Sequence, residues 1–505
     1  LTSLRLLCYL QPQHVAVTRL VSEQLAEPRY QRALPMPATT FNTSRIPGPR
    51  AMPLLGHRGN LIRYFQDPIG SMRSYYAAYG PAVALSHGST QWIHLFGPEY
   101  NHYVLTNPDL FHASLLSLPV PTDSALRRLT GGLLTMNGDL HRQQRRMILP
   151  AFHKQAVAGY YAAMVDLTHQ MLNQWPTDHA FNIATSLREL TMRVVLATLF
   201  GIDTARDTDA IAQLLETCLR LFTTAMVHQV PFDLPGLPYR NLLQVSTRLE
   251  LALRSLINQK RAHIEQHRDM LATLIQARDE DGTQMTDTEL IGQATLLFIA
   301  GHETSTDALT WTLFLLAQHP DICADLLDEL TAVLGGDPPT IEQLTRLPLL
   351  ERVVKESMRL LPSVCALGRV CATTTTLGPY TLPQGAAVTI SPYITHQLPE
   401  LYPEPKRFLP ERWSRIDPSP YEYLPFSAGP RMCLGASFAM LEIKLVIAMV
   451  VQRYRLTLVP GARIDRQVRL TLSSKHGMPM VVRPQDRRFS RSVLRGNIQD
   501  MVDFR

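Results

Sequence analysis

Between Thr286 and His319 the chain reads as one continuous helix, and everything else has to be arranged around it. Fully helical, this stretch is on the order of 50 Å long. Ala294 to Ala300 is apolar nearly all round the helix, the pattern of a rod buried on every side. The Thr286–His319 helix also carries Gln293, His302, Glu303 and Asp307, so it is not read as a membrane span.

Helical periodicity also runs through Tyr160–Trp175, Ile183–Phe200, Asp209–Met226 and Leu242–Arg268. Extended segments are short: Ala82–Leu85, Trp92–Phe96, Gly378–Leu382, Ala387–Ser391, Arg455–Leu458 and Met480–Val482. Leu398–Trp413 is dense in Pro and charge and reads as an irregular, ordered loop. The expected fold class is therefore mainly α with a small β-rich subdomain. Ile46-Pro47-Gly48-Pro49 is a stiff segment. It divides an N-terminal extension, residues 1–45, from a single expected domain, residues 46–505.

Composition narrows the function classes. With 45% apolar and 18% charged residues, the 505-residue chain is neither disordered nor a polyelectrolyte. A net charge of +6 over this length is mild. No dense Lys/Arg block or nucleic-acid motif accompanies it, so no nucleic-acid partner is expected. Six cysteines, at 8, 218, 323, 365, 371 and 433, form neither a disulfide framework nor a zinc cage, which fits a reducing, cytoplasmic setting. Residues Leu1 to Leu20 are too polar for a span. The Arg-rich, acid-poor first fifty residues leave a mitochondrial presequence or a soluble extension as alternatives, and peripheral membrane contact stays open.

The most specific signal is Phe426-Ser427-Ala428-Gly429-Pro430-Arg431-Met432-Cys433-Leu434-Gly435, followed by a helix from Ala436 to Tyr454. A Cys at a helix mouth lies in the positive end of the dipole, which favours its thiolate. Gly429 and Gly435 permit a tight loop and close approach of a flat ligand. Backbone N–H groups there can tune a metal-bound sulfur. Arg431 can meet an anion beside the metal, and Phe426 can cover the sulfur. An inert buried thiol is the bland alternative, weakened by five specified residue types at fixed spacing. F-x-x-G-x-R-x-C-x-G resembles the haem-binding signature of the cytochrome P450 family, and Ala439 and Glu442 match its continuation. The resemblance implies haem b with Cys433 as its iron ligand, and a long central helix over the haem.

Three further constellations extend the resemblance from about Pro47 to Pro484. Ala300-Gly301-His302-Glu303-Thr304-Ser305 places a Gly inside a helix, at a cost of about 1 kcal/mol relative to Ala. Ala300 and Gly301 could leave room for dioxygen, or Gly301 could be a packing notch. The resemblance gives Thr304 and Glu303 the catalytic role of delivering protons to bound oxygen. His302 is expected to face away from the haem, the alternative being a second iron ligand. Glu356 and Arg359 share a helix face, and the resemblance implies a structural lock completed from the later loop, with Arg412 preferred and Arg407 competing. His141 and Arg145 are four apart and can grip an anion; with Arg369 they match positions that contact haem propionates. His141 stands where the family pattern has Trp.

Together these imply a haem-thiolate monooxygenase that inserts one oxygen atom of dioxygen into a hydrophobic organic molecule. Leu296, Ile299, Ala300, Val364, Cys365 and Leu472 are expected to line its pocket, with walls from Ser114 to Leu126 and Leu221 to Pro235. A fatty acid, terpenoid, steroid or polyketide-like substrate would suit them. No flavin domain is visible, so a separate ferredoxin, flavodoxin or reductase is implied, with Arg142, Arg146 and Lys444 as docking candidates. The rival readings are a peroxide-dependent haem-thiolate enzyme and a non-catalytic haem sensor.

Overall fold

The structure is a computed structural model that describes residues 45–86, 91–114, 118, 120–201 and 205–504. Of the regions discussed above, residues 1–44 and the wall positions 115–117 and 119 lie outside the described residues.

The central helix runs Asp287–Gln318. Thr286 and Glu289 close its start as a capping box: the Thr286 N–H donates to Glu289 Oε2 at 2.8 Å, and the Glu289 N–H donates to Thr286 Oγ1 at 3.3 Å. It stops at His319 because Pro320 opens the next helix, Pro320–Leu334, and cannot continue the old one. The helices Ile183–Phe200, Ala436–Arg453 and Pro348–Leu360 pack against it. Trp311 and Phe314 are fully buried in that shell, worth about 1.5–3 kcal/mol for each such large side chain. Hydroxyl pairs cross the interfaces: Thr191 Oγ1 lies 2.7 Å from Thr306 Oγ1, and Thr312 Oγ1 donates to Ser357 Oγ at 2.9 Å.

A second, smaller core lies against a five-stranded sheet ordered Ala82–Ser86, Trp92–Leu95, Ala387–Ile390, Leu367–Cys371, Phe111–Ala113. Only the Trp92–Leu95/Ala387–Ile390 pairing is parallel. A three-stranded sheet joins Ala180–Asn182, Pro479–Pro484 and Tyr454–Leu458. The hairpin Arg466–Val468/Leu472–Ser474 is pinned near the central helix, where Trp311 Nε1 donates to the Leu472 carbonyl at 2.8 Å.

Two expected helices differ from those observed. Asp209–Met226 is interrupted: one helix ends at Phe222 and a short one spans Ala225–Gln229. Adjacent Thr223 and Thr224 turn their hydroxyls back onto the Leu219 and Arg220 carbonyls, at 3.0 and 2.8 Å, and β-branching disfavours continuation. Leu242–Arg268 is shifted to Pro238–Ala262, since Pro238 is well suited to a first helical turn. Beyond Pro484 the chain folds back, burying Ile498, Met501, Val502 and Phe504. The Phe504 ring meets that of Phe314, on the central helix, at 5.7 Å between centroids.

Candidate functional site

The loop before Ala436–Arg453 is shaped by its backbone. Gly429 has φ +70°, and a Cβ there would lie 2.5 Å from the Leu105 carbonyl oxygen, so both conformation and space require glycine. The Cys433 N–H donates to the Phe426 carbonyl at 2.9 Å, closing the loop on itself. Cys433 is exposed, and the Gly435 N–H approaches its sulfur. Packing of the loop behind the sulfur raises the thiol's pKa; the Gly435 hydrogen bond and Arg145 pull it down by less. A metal at the sulfur would make it a thiolate, because a coordinating thiol loses its proton.

Four basic side chains gather nearby. Arg431 Nη2 donates to Asn137 Oδ1 at 2.7 Å and to the Met136 carbonyl, while its buried Nε has no partner. Arg369 Nη1 donates to the Gly368 carbonyl at 2.8 Å. Among the described residues no carboxylate pairs with Arg145, Arg369 or Arg431. Their pKa values are all lowered: Arg369 to about 10 by burial and Arg431, Arg431 by burial and Arg145, and Arg145 by burial. His141 is pushed down to about 4 by burial and then by Arg431, Arg145, Arg142 and Arg369, which leaves it neutral near pH 7. A concentration of buried positive charge without counter-ions suits an anionic group, and carboxylates above all.

The central helix supplies the other side. It is buried over most of its length, yet Ala300 is exposed, and Leu296, Leu297, Ile299, Gly301, Glu303 and Thr304 are half-buried. Thr304 Oγ1 donates to the Ala300 carbonyl at 2.6 Å, the back-bond expected of a hydroxyl four residues on. Gly301, read either as room for dioxygen or as a packing notch, faces Val195 on Ile183–Phe200. A Cβ there would come 3.1 Å from Val195 Cγ2, so the packing-notch alternative carries the contact. Glu303 is turned to Arg188 on Ile183–Phe200, with Nη1 2.9 Å from Oε1, and not to Thr304. His302 is buried and stacked on Phe298 at 5.5 Å, with its pKa lowered to about 4 by burial and then Arg188.

Glu356 lies at the centre of a closed ionic cluster. Arg359 reaches it through Nε at 2.9 Å and Nη2 at 2.8 Å, and Arg412 through Nε at 2.9 Å. Of the two competing arginines, Arg407 contributes only its backbone carbonyl, to Arg359, and turns its side chain to Glu404. Trp413, beside Arg412 in sequence, completes the set. The expected pocket residues divide. Leu296, Ile299, Ala300 and Val364 carry accessible surface; Cys365 and Leu472 are 3% and 0% exposed and belong to the core. The docking candidates already have partners: Arg142 contacts Asp139 and Asp109, Arg146 contacts Asp279, and Lys444 leans towards Glu351. Arg188, Asn137 and Trp413 are contributors that periodicity and spacing do not mark. A separate cavity of about 780 Å³, lined by Asp67, Arg463 and Arg466 among others, touches none of these residues.

The family model described as Cytochrome P450 matches residues 46–481. The chain belongs to the cytochrome P450 family. Among its P450 relatives are the cyclooctat-9-en-7-ol 5-monooxygenase of Streptomyces melanosporofaciens, 33% identical over 85% of this chain and 92% of that one, and the cyclooctatin synthase of the same organism, 32% identical over 88% and 96%. The pentalenene oxygenase of Streptomyces avermitilis is 30% identical over 86% and 98%. In three dimensions the chain resembles a retinoic acid-bound cyanobacterial CYP120A1, with a TM-score of 0.77 at 26% identity, covering 88% of this chain and all of that one. The observed architecture is that of the P450 fold. The protein is a P450 monooxygenase, an oxidoreductase that incorporates oxygen from dioxygen, and its cofactor is haem b. An exposed Cys433, an uncompensated arginine cluster and an accessible stripe on a buried helix fit that group. No three-residue set of His, Cys, Asp and Glu suited to a metal occurs among the described residues. No helix among them is long and apolar enough to cross a membrane.

Proposed function

We propose that residues 46–505 act as one catalytic domain in which Cys433 would hold the haem iron through its thiolate. In this reading Arg145, Arg369, Arg431 and a neutral His141 hold the propionates. Phe426, Gly429 and Gly435 shape the sulfur's side, and Ala300 leaves space on the opposite side, with Gly301 fixing how closely the neighbouring helix approaches. Glu356, Arg359 and Arg412 are the lock that keeps the supporting helix in place. The observation that carries the proposal is the exposed Cys433 beside three arginines with no carboxylate partner. Bound haem supplies the oxygen chemistry; the protein's own task is to orient substrate, limit water and move protons. Thr304 holds a hydroxyl proton at Oγ1, and Glu303 can pass protons towards it when released from Arg188.

The substrate is an apolar molecule with a hydrocarbon skeleton. The accessible Leu296, Ile299 and Val364 support this, as do relatives named for cyclooctat-9-en-7-ol and pentalenene. Electrons come from a separate ferredoxin, flavodoxin or reductase. A cytoplasmic setting is supported by the free thiols of Cys218, Cys323, Cys365 and Cys371. Reduced, carbon monoxide-treated protein is expected to show the red-shifted Soret band of a thiolate ligand, and its absence would overturn the reading. Titration with hydrocarbon ligands, followed by the spectral shift on loss of iron-bound water, then sorts the substrate class.

A further inference from the structure

We propose that Glu303 and Asp307 form a two-carboxyl pair beside Arg188 that shares one proton, held at rest on Asp307 and passed to Glu303 during turnover. The inference rests on the oxygenase reading above and adds a residue to it. Four residues separate the two acids, so they share a face of the central helix. Glu303 Oε1 accepts from Arg188 Nη1 at 2.9 Å. Asp307 is 5% exposed, and its hydrogen-bond partner is Thr471, in the turn of the hairpin Arg466–Val468/Leu472–Ser474. That turn is held where Asp307 needs it. Trp311 Nε1, one turn further along the helix, donates to the Leu472 carbonyl. The Leu472 N–H donates to the Ser363 carbonyl at 2.8 Å, and Ser363 Oγ donates to the Thr304 carbonyl at 2.9 Å. Thr304 and Asp307 are thus braced by one hydrogen-bonded support, while Glu303 is held by Arg188.

Among the described residues one cation, Arg188, faces the two acids, and it touches Glu303. Two carboxylates cannot both be ionised cheaply beside a single guanidinium, so one proton is retained by the pair. Asp307, the more buried, is raised to about 8 by burial, with Glu303 adding to the rise and Thr471 and Arg188 opposing it. Arg188 and Glu303 are the charged groups that face it from the two packed helices, and Thr471 is the polar group from the hairpin. Arg188 keeps 41% of its side chain exposed, so it can leave Glu303 for solvent. When it does, an O–H bond breaks at Asp307 as one forms at Glu303. Nothing is oxidised or reduced in that step, and Asp307 is reprotonated from solvent.

The test is infrared difference titration of the holoenzyme, checked by its thiolate band for correct folding. A protonated-carboxyl band is expected at neutral pH and should disappear in Asp307→Asn. The band of Glu442, also buried and raised to about 8, is assigned separately with Glu442→Gln. Glu303→Gln should move the Asp307 midpoint down, and Thr471→Val, which keeps both acids, should move it up. Persistence of the band in Asp307→Asn, or an unmoved midpoint in both other variants, overturns the pair. In turnover, Asp307→Asn should lower the yield of product per electron pair and lose the inflection near pH 8, with Asp307→Glu restoring both. Unchanged yield in Asp307→Asn beside a lowered yield in Thr304→Ala sinks this proposal and leaves the oxygenase reading standing. Unchanged yield in both sinks the proton role itself.

Discussion

Trp413 donates its indole N–H to Glu356 Oε2 at 3.0 Å, on the carboxylate that Arg359 and Arg412 also grip. Glu356 and Arg359 are both completely buried. Such a cluster is not stronger than a well-packed apolar one, but it cannot be opened from one side without stranding a charge.

Glu356→Ala should therefore destabilise the protein by about 3–5 kcal/mol, because Arg359 keeps its charge and loses its partner. Trp413→Phe removes one hydrogen bond to a charged acceptor and should cost about 1.5–3 kcal/mol. Denaturant unfolding of both variants checks the order; equal losses would mean that the ring's packing, and not the carboxylate, is what Trp413 contributes.

The arginine cluster predicts opposite effects in haem-loaded and haem-free protein. In Arg369→Met or Arg431→Met the haem should leave faster, measured by transfer to a haem-scavenging protein. Thermal unfolding of the haem-free variants should be unchanged or shifted upward, since the substitution relieves repulsion between groups whose pKa values are already lowered.

Cys433→Ser should abolish the red-shifted Soret band of the reduced carbon monoxide complex. Cys365→Ser should keep it, because Cys365 is a buried core thiol whose pKa is raised to about 12 by burial. Loss of the band in both would point to general damage, and the difference between them is the informative quantity.

Glu442 gives a pH dependence with a definite sign. Burial raises it to about 8 from 4.5, opposed by Ser305. The native state then holds a proton that the unfolded chain releases at lower pH. Stability from this group is complete below the unfolded value and is lost as pH rises towards 8. Glu442→Gln should flatten the decline in stability between roughly pH 5 and 8. Unfolding midpoints at several pH values decide this; an unchanged slope would mean the carboxyl is solvated in the native protein.

Ile183–Phe200 was legible to the residue because its ends are marked locally: Asn182 caps the first turn through its side chain, and Gly201 leaves it at φ +61°. The break at Thr223 and Thr224 was not, since apolar spacing passes through it undisturbed. Strands such as Phe111–Ala113 and Leu472–Ser474 have three residues, too few for an alternation to show. The same contrast divides the site. Cys433, Gly429 and Arg431 lie in one contiguous loop, so their spacing is visible. Arg188 meets Glu303 across 115 positions, and no periodicity reports such a pair. Leu472, by sequence a pocket-wall residue, spends both backbone groups on Ser363 and Trp311.

The packing of Phe504 on Phe314 has a consequence for synthesis. The apolar flank of the central helix leaves the ribosome long before residues 485–504 exist to cover it. During that interval the growing chain carries an exposed hydrophobic rod, a surface prone to aggregation and attractive to chaperones. Slow translation past the Ala436–Arg453 helix would prolong that exposure, so yield on expression should depend on how fast the last part of the message is read.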